Sequence, residues 1–386
     1  MVKSPLRWTL AWAEPFRIFF PLGLFLGAVG VSLWPLFFWG LVDAYPAAPH
    51  MRLMIEGLMG SFVIGFLGTA GPRLFEAPPF RPIEGLTLFV LQATSGLLHL
   101  VHRPLAGDLL FLALLLFFLG ALARRVKRRG DLPPPSFLLV LGGFLNAVAG
   151  IALLQCDRLW IHQLGNILLN EGFVLFPLLG VGAFFFPLLL DTKTPAQPSD
   201  LRVAAGACRR GALIALLCAL ALWLSFLLEA MGWTRSAALG RGLTIAWFLL
   251  SQGGLFRKSA ERTFLAHCFQ AGSILLIAGL FLPVVFPDDR VANLHVVFLG
   301  GYSVLLFTVS TRVILGHSGE SHLFQRRLRW LVATLSLLIL AMLTRVSADV
   351  FPAERNSHLV YAALLWLVAA AIWLFALGSR LGRSEE

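Results

Sequence analysis

The sequence predicts an all-α, polytopic membrane protein with twelve transmembrane helices in an N-in/C-in topology. Three observations carry that reading. The 386-residue chain is 58% hydrophobic and 13% charged, where soluble domains carry about 25% charged residues. Its mean hydropathy is +0.82. Its apolar residues come in runs of about 20, the length a helix needs to cross a bilayer, and the strand alternation of a barrel is absent.

The twelve runs fall at 16–40, 50–73, 84–102, 105–124, 136–155, 161–190, 209–232, 236–255, 262–286, 292–316, 327–350 and 356–378. Lys3 and Arg7 precede the first run and no small-residue cleavage site follows, so it reads as a retained span and not a signal peptide. The sixth run is too long for one perpendicular crossing and is expected to tilt, or to break near Pro177 or Pro187. With the N-terminus inside, clusters such as Arg124, Arg125, Lys127, Arg128 and Arg129 fall on the cytoplasmic side. The outer ends carry single arginines (Arg52, Arg103, Arg158, Arg235, Arg290, Arg355). That asymmetry is the positive-inside rule. The polar segment 191–208 reads as an inside loop within a single membrane domain, 1–386, joining six-helix halves 1–190 and 209–386.

The net charge of +11 could suggest a nucleic-acid partner, but its placement in short clusters between spans argues against one. Four cysteines (Cys156, Cys208, Cys218, Cys268) form no CxxC pair and give neither a disulfide framework nor a thiolate metal site. A phosphate-cradling loop, a nucleophile elbow and HExxH are all missing, so no soluble-enzyme class is indicated and enzymatic activity stays open.

The second run carries the most chemistry. His50, Arg52 and Glu56 sit in its first two turns, and charges inside a bilayer usually face the bundle interior and serve a function. At helical spacing His50, Met54, Gly57, Ser61 and Gly68 share a face. The small residues suit either tight helix packing or a flat cofactor with His50 as ligand. Arg52 and Glu56 are four apart and can pair.

Of nine histidines, six fall at outer ends of spans: His50, His99, His102, His162, His295 and His358; His267, His317 and His322 fall toward the inner side. His99 and His102, three apart, could chelate copper or zinc or simply mark the interface. His162, Asn166 and Asn170 form a stripe suited to interhelical hydrogen bonds or to lining a cofactor or ion route. His295 lies at about the depth of His50, and neutral imidazoles suit haem iron and copper. Glu56 and Glu171 are the candidates for proton handling, with Glu229 and Asp349 nearer the outer edge. Arg345 can pair with Asp349, and Arg52 or Arg345 could hold haem propionates.

Several stretches resemble the NnrS family. AEPFRIFFPLG at 13–23 is similar to its opening, and His50 through GFLGTAGPR to its second span, which usually reads HxHEM…G…GFLLTAxPxW. AHCFQAGSILLIAGL at 266–280 resembles its ninth span, and NLHVVFLGGYSVLLFTVSTRVILGHSGE at 293–320 its most recognisable segment. The resemblance implies a haem- and copper-containing protein of the bacterial cytoplasmic (inner) membrane that responds to nitric oxide and supports tolerance of nitrosative stress. It matches His50, Met54, Gly57, His267, His295, Thr311, Arg312, Gly316, His317 and Gly319 to family motif positions and implies haem b with His50 and His295 as axial candidates and Met54 as a further one; Arg52 is a candidate cofactor contact from its charge and depth alone. The metal-ligand candidates are His50, His295, His267 and His317, which the resemblance matches, together with His99, His102, His162 and His358, which depth and spacing single out.

The chain departs from the pattern where Arg52 replaces the motif's second histidine and Leu53 its glutamate, which puts copper in doubt. The family is also similar to haem–copper oxidase subunits, but the seventh run here has no histidine, which argues against oxygen or nitric oxide reduction by their mechanism. The implied partners are membrane lipid, nitric oxide or another small ligand, and a membrane partner or second copy of the chain. The competing reading is a twelve-helix secondary transporter of a small solute or metal complex, with Glu56, Glu171 and the span-six stripe on its route.

Overall fold

Apolar runs of this length place their backbone polar groups inside helices, and the computed structural model has that form. It describes residues 7–130, 133–190, 205–257 and 262–383, and contains no strand among them. The helices are α1 (Arg7–Ala13), α2 (Phe16–Phe38), α3 (Ala47–Leu74), α4 (Pro82–Leu100), α5 (Pro104–Lys127), α6 (Phe137–Leu153), α7 (Leu159–Leu189), α8 (Ala205–Ala230), α9 (Thr234–Ser251), α10 (Phe264–Val285), α11 (Arg290–His317), α12 (Arg329–Val350) and α13 (Arg355–Leu377). Ten helices among the described residues are long and apolar enough to cross a membrane. The two other long helices are α6, apolar but of 17 residues, and α9, which carries Arg235 and Arg241. Most of the expected loop 191–208 lies outside the described residues.

By packing, the described chain falls into two units. One comprises α1 to α5 with the C-terminal segment from Gly378, and the other α6 to α13. In the first unit, Arg17 donates to the carbonyls of Leu381 at 2.9 Å and Arg383 at 2.6 Å, tying the C-terminal segment to α2. The entry to α4 is capped by Glu84, whose carboxylate accepts from the Arg81 backbone N–H at 2.9 Å. Arg125 on α5 holds that carboxylate at 2.6 Å and donates to the carbonyls of Pro78 and Pro79.

The two units use glycine for close helix contact, as expected where lipid gives no hydrophobic drive and packing must supply the attraction. In the first unit α2 closes the small-residue face of α3. A Cβ on Gly57 would lie 3.0 Å from Leu26, one on Gly68 3.1 Å from Pro15, and Gly23 stands against Ser61. From Gly57 to Gly68 that face is filled by helix packing and leaves no room for a flat cofactor.

Three of the longest helices are interrupted by π-helical turns: α3 at Leu53–Met59, α7 at Leu168–Gly172 and α11 at Val296–Ser303. The irregularity of α7 thus lies upstream of its prolines. Pro177 and Pro187 sit within regular α-helix, and the Pro177 ring fits into the space left by Gly143 of α6. A π turn misaligns the backbone ladder, and side chains repair it. Gln92 of α4 donates to the Glu56 carbonyl at 2.8 Å, and Ser303 donates to the Phe298 carbonyl at 2.9 Å. Such turns cluster at functional sites.

In the second unit, Trp373 of α13 donates its indole N–H to Thr311 Oγ1 of α11 at 2.9 Å, and its ring meets Phe307 edge-on. Trp373→Phe deletes that donor and is expected to cost about 1–2 kcal/mol, read as a lower unfolding midpoint in detergent.

Candidate functional site

The π turn of α3 delivers Glu56 to the interior of the first unit, where the side chain is 1% exposed. It meets three other polar groups. His99 of α4 places Nε2 2.9 Å from Glu56 Oε2 and 3.8 Å from Asp108 Oδ1 of α5. Arg52, one turn before Glu56, places Nε 2.9 Å from Asp108 Oδ1 and 3.4 Å from Glu56 Oε1, and Nη2 donates to Asp108 Oδ2 at 3.1 Å. All four are buried. The imidazole is seated over Gly107, where a Cβ would stand 2.5 Å from the ring, and Ser95 donates to the Gly107 carbonyl at 3.0 Å.

Chemically this is one imidazole and two carboxylates whose ligand atoms lie within 4.8 Å of one another, a donor set that suits a divalent metal. Glu56 Oε1, His99 Nδ1, Asp108 Oδ1 and Arg52 Nη1 each lack a well-aligned hydrogen-bond partner. A guanidinium, however, already stands against both carboxylates. At an effective dielectric of about 20, unit charges 4 Å apart interact by about 4 kcal/mol, so Arg52 attracts each carboxylate and repels a metal ion on a comparable scale.

The second unit holds a related assembly. Glu171, in the π turn of α7, and Glu229 of α8 are bridged by Arg241 of α9 and Arg290 of α11. Arg241 is 2.7 Å from Glu171 and contacts Glu229. Arg290 is 2.9 Å from Glu171 and 3.1 Å from Glu229, so each arginine spans both acids. Ser225 accepts from Arg241 Nε at 3.3 Å, and the Phe226 ring lies under the guanidinium. A small cleft opens beside this ring of charges, bordered by Pro283, Pro287, Asn293 and Val297.

His50, His162, His267, His295 and His358 have local partners. His50 is half-buried, donates Nδ1–H to the Gly30 carbonyl at 3.0 Å and meets Trp34 edge-on. Met54 is half-buried one turn below. His295 is half-buried and donates Nδ1–H to the Val291 carbonyl at 2.7 Å. His358 Nδ1 lies 3.0 Å from Ser347 Oγ of α12, and His317 is half-buried at the end of α11. His162 is exposed and accepts from Asn166 at 3.1 Å; His267 is exposed and bonded to the Thr263 carbonyl. His102 is exposed at φ 57° beyond the end of α4, so it does not share a helix face with His99. Arg345 pairs with Asp349 at 3.0 Å.

Among the predicted residues, the structure brings together Arg52, Glu56 and His99 in the first unit and Glu171 and Glu229 in the second. Asp108 is the member that the sequence reading missed. The signal was there, since Asp108 is the one charged residue between Arg103 and Arg124. Comparison with known proteins adds two findings. A family model described as NnrS protein matches residues 10–384. No curated protein matches the chain.

Proposed function

The chain belongs to the NnrS family, and on that premise we propose that it is a twelve-span, N-in/C-in protein of the bacterial cytoplasmic membrane that binds haem b and acts in the response to nitric oxide. The family match over residues 10–384 carries this reading, because it takes in nearly the whole chain. In it α6 and α9 are the fifth and eighth crossings. A 17-residue helix crosses by local thinning of the bilayer. The α9 crossing tolerates Arg241 because two glutamates neutralise that charge inside the protein.

His50 and His295 are the haem-ligand candidates. Each ties Nδ1–H to a backbone carbonyl, which fixes the tautomer that offers Nε2 to a metal and is the usual support of a metal-bound histidine. Haem, when bound, supplies an iron that takes nitric oxide as ligand. The chain's residues supply the imidazoles and hold them by those carbonyl bonds. The closed glycine face of α3 puts any such ring elsewhere than against Gly57.

Expression of the chain in a strain lacking it is expected to restore growth under a nitric oxide donor, and His50→Ala to lose that protection at unchanged membrane abundance. Equal growth with and without the chain argues against the reading. The charged cleft of the second unit favours the transporter alternative. Solute uptake into proteoliposomes that Glu171→Gln abolishes would support it.

A further inference from the structure

We infer that Arg52 is a tethered cation standing in for a metal ion: the Glu56–His99–Asp108 cluster is built like a divalent-metal site but is closed to metal in this chain by the guanidinium. The cluster is closed whether or not the chain binds haem.

The cluster has what a metal needs. Three helices converge one imidazole nitrogen and two carboxylates, with Gly107 making room for the ring. Protein oxygen and nitrogen ligands approach a metal of the zinc type to about 2.0–2.2 Å. Here the carboxylate oxygens are already claimed. Arg52 Nε stands 2.9 Å from Asp108 Oδ1 and 3.4 Å from Glu56 Oε1, and Nη2 takes Asp108 Oδ2. A metal drawing on those oxygens would lie against the guanidinium, which stays charged in proteins and cannot yield by losing a proton. The positive charge that two buried carboxylates require is supplied from within the chain.

The experiment uses the full chain in detergent, stripped with chelator, exposed to Zn²⁺, Co²⁺ or Cu²⁺, desalted and assayed for bound metal. The native chain and His99→Ala are expected to hold the same amount of each metal. Arg52→His is expected to take up about one further equivalent per chain, with a Co²⁺ visible band, and Arg52→His/His99→Ala to lose both. The inference is overturned if His99→Ala removes about one equivalent from the native chain, or if a monodisperse Arg52→His protein takes up no more metal than native. Where Arg52→His fails to fold, the native comparison still tests whether the cluster is closed to metal.

Discussion

Arg241→Met is expected to lower stability by about 3–5 kcal/mol, the largest effect of any single charge removal in the second unit. Arg241 is 5% exposed and touches both Glu171 and Glu229. Its removal leaves two buried carboxylates sharing Arg290, which is the more exposed of the two arginines. Methionine fills much of the volume over Phe226, so the loss reports on charge and not on packing. The check is thermal unfolding in detergent, with yield of monodisperse protein as the second readout. Adding Glu171→Gln to Arg241→Met should recover part of the loss, because the remaining Glu229 carboxylate keeps Arg290 as its cation. A double variant no better than Arg241→Met would show that the lost contacts, and not the stranded charge, set the cost.

Gly165→Leu is expected to cost about 3 kcal/mol or more, or to prevent folding. A Cβ on Gly165 would stand 2.9 Å from Leu154 N and 3.0 Å from Gly150 O, while one on Gly150 would stand 2.8 Å from Leu169 N. These neighbours are backbone and cannot rotate aside. The side chain can enter only if α6 and α7 separate, which also loosens Gly143 from Pro177 and Gly180 from the Ser136 carbonyl that faces it. Gly240→Ala on α9 is the control. Its Cβ meets nothing within 4 Å, so the substitution should stabilise slightly, by about 0.5–1 kcal/mol, through helix propensity. Matched losses at both positions would contradict the packing account.

Helices were legible because an apolar run of this length has few other options in a bilayer, and charge asymmetry between loops suggested their alternation. The site was legible in part. Glu56, Glu171 and Arg52 stood out because a charge in an apolar run requires a partner, and spacing alone pairs Arg52 with Glu56, but their further partners and those of Glu171 lie on other helices. Asp108 is 56 residues from Arg52, and Arg241 is 70 from Glu171. No local period encodes such pairings. The π turns were invisible for a related reason. Proline was the visible helix-breaker in α7, yet the turn formed at Leu168–Gly172, where Glu171 leaves the regular ladder to meet two arginines. The glycine face of α3 could be read as packing or as a cofactor bed from spacing alone, and Leu26, Gly23 and Pro15 decide it for packing from Gly57 to Gly68. His102 was placed beside His99 by assuming that the helix continues, whereas α4 ends at Leu100.

Haem binding is tested most directly by the optical spectrum of the full chain purified from haem-replete cells. A Soret band is expected that shifts when nitric oxide is added and that is lost or displaced in His50→Ala and His295→Ala. Well-folded protein without a Soret band, or a spectrum that neither substitution alters, would contradict it.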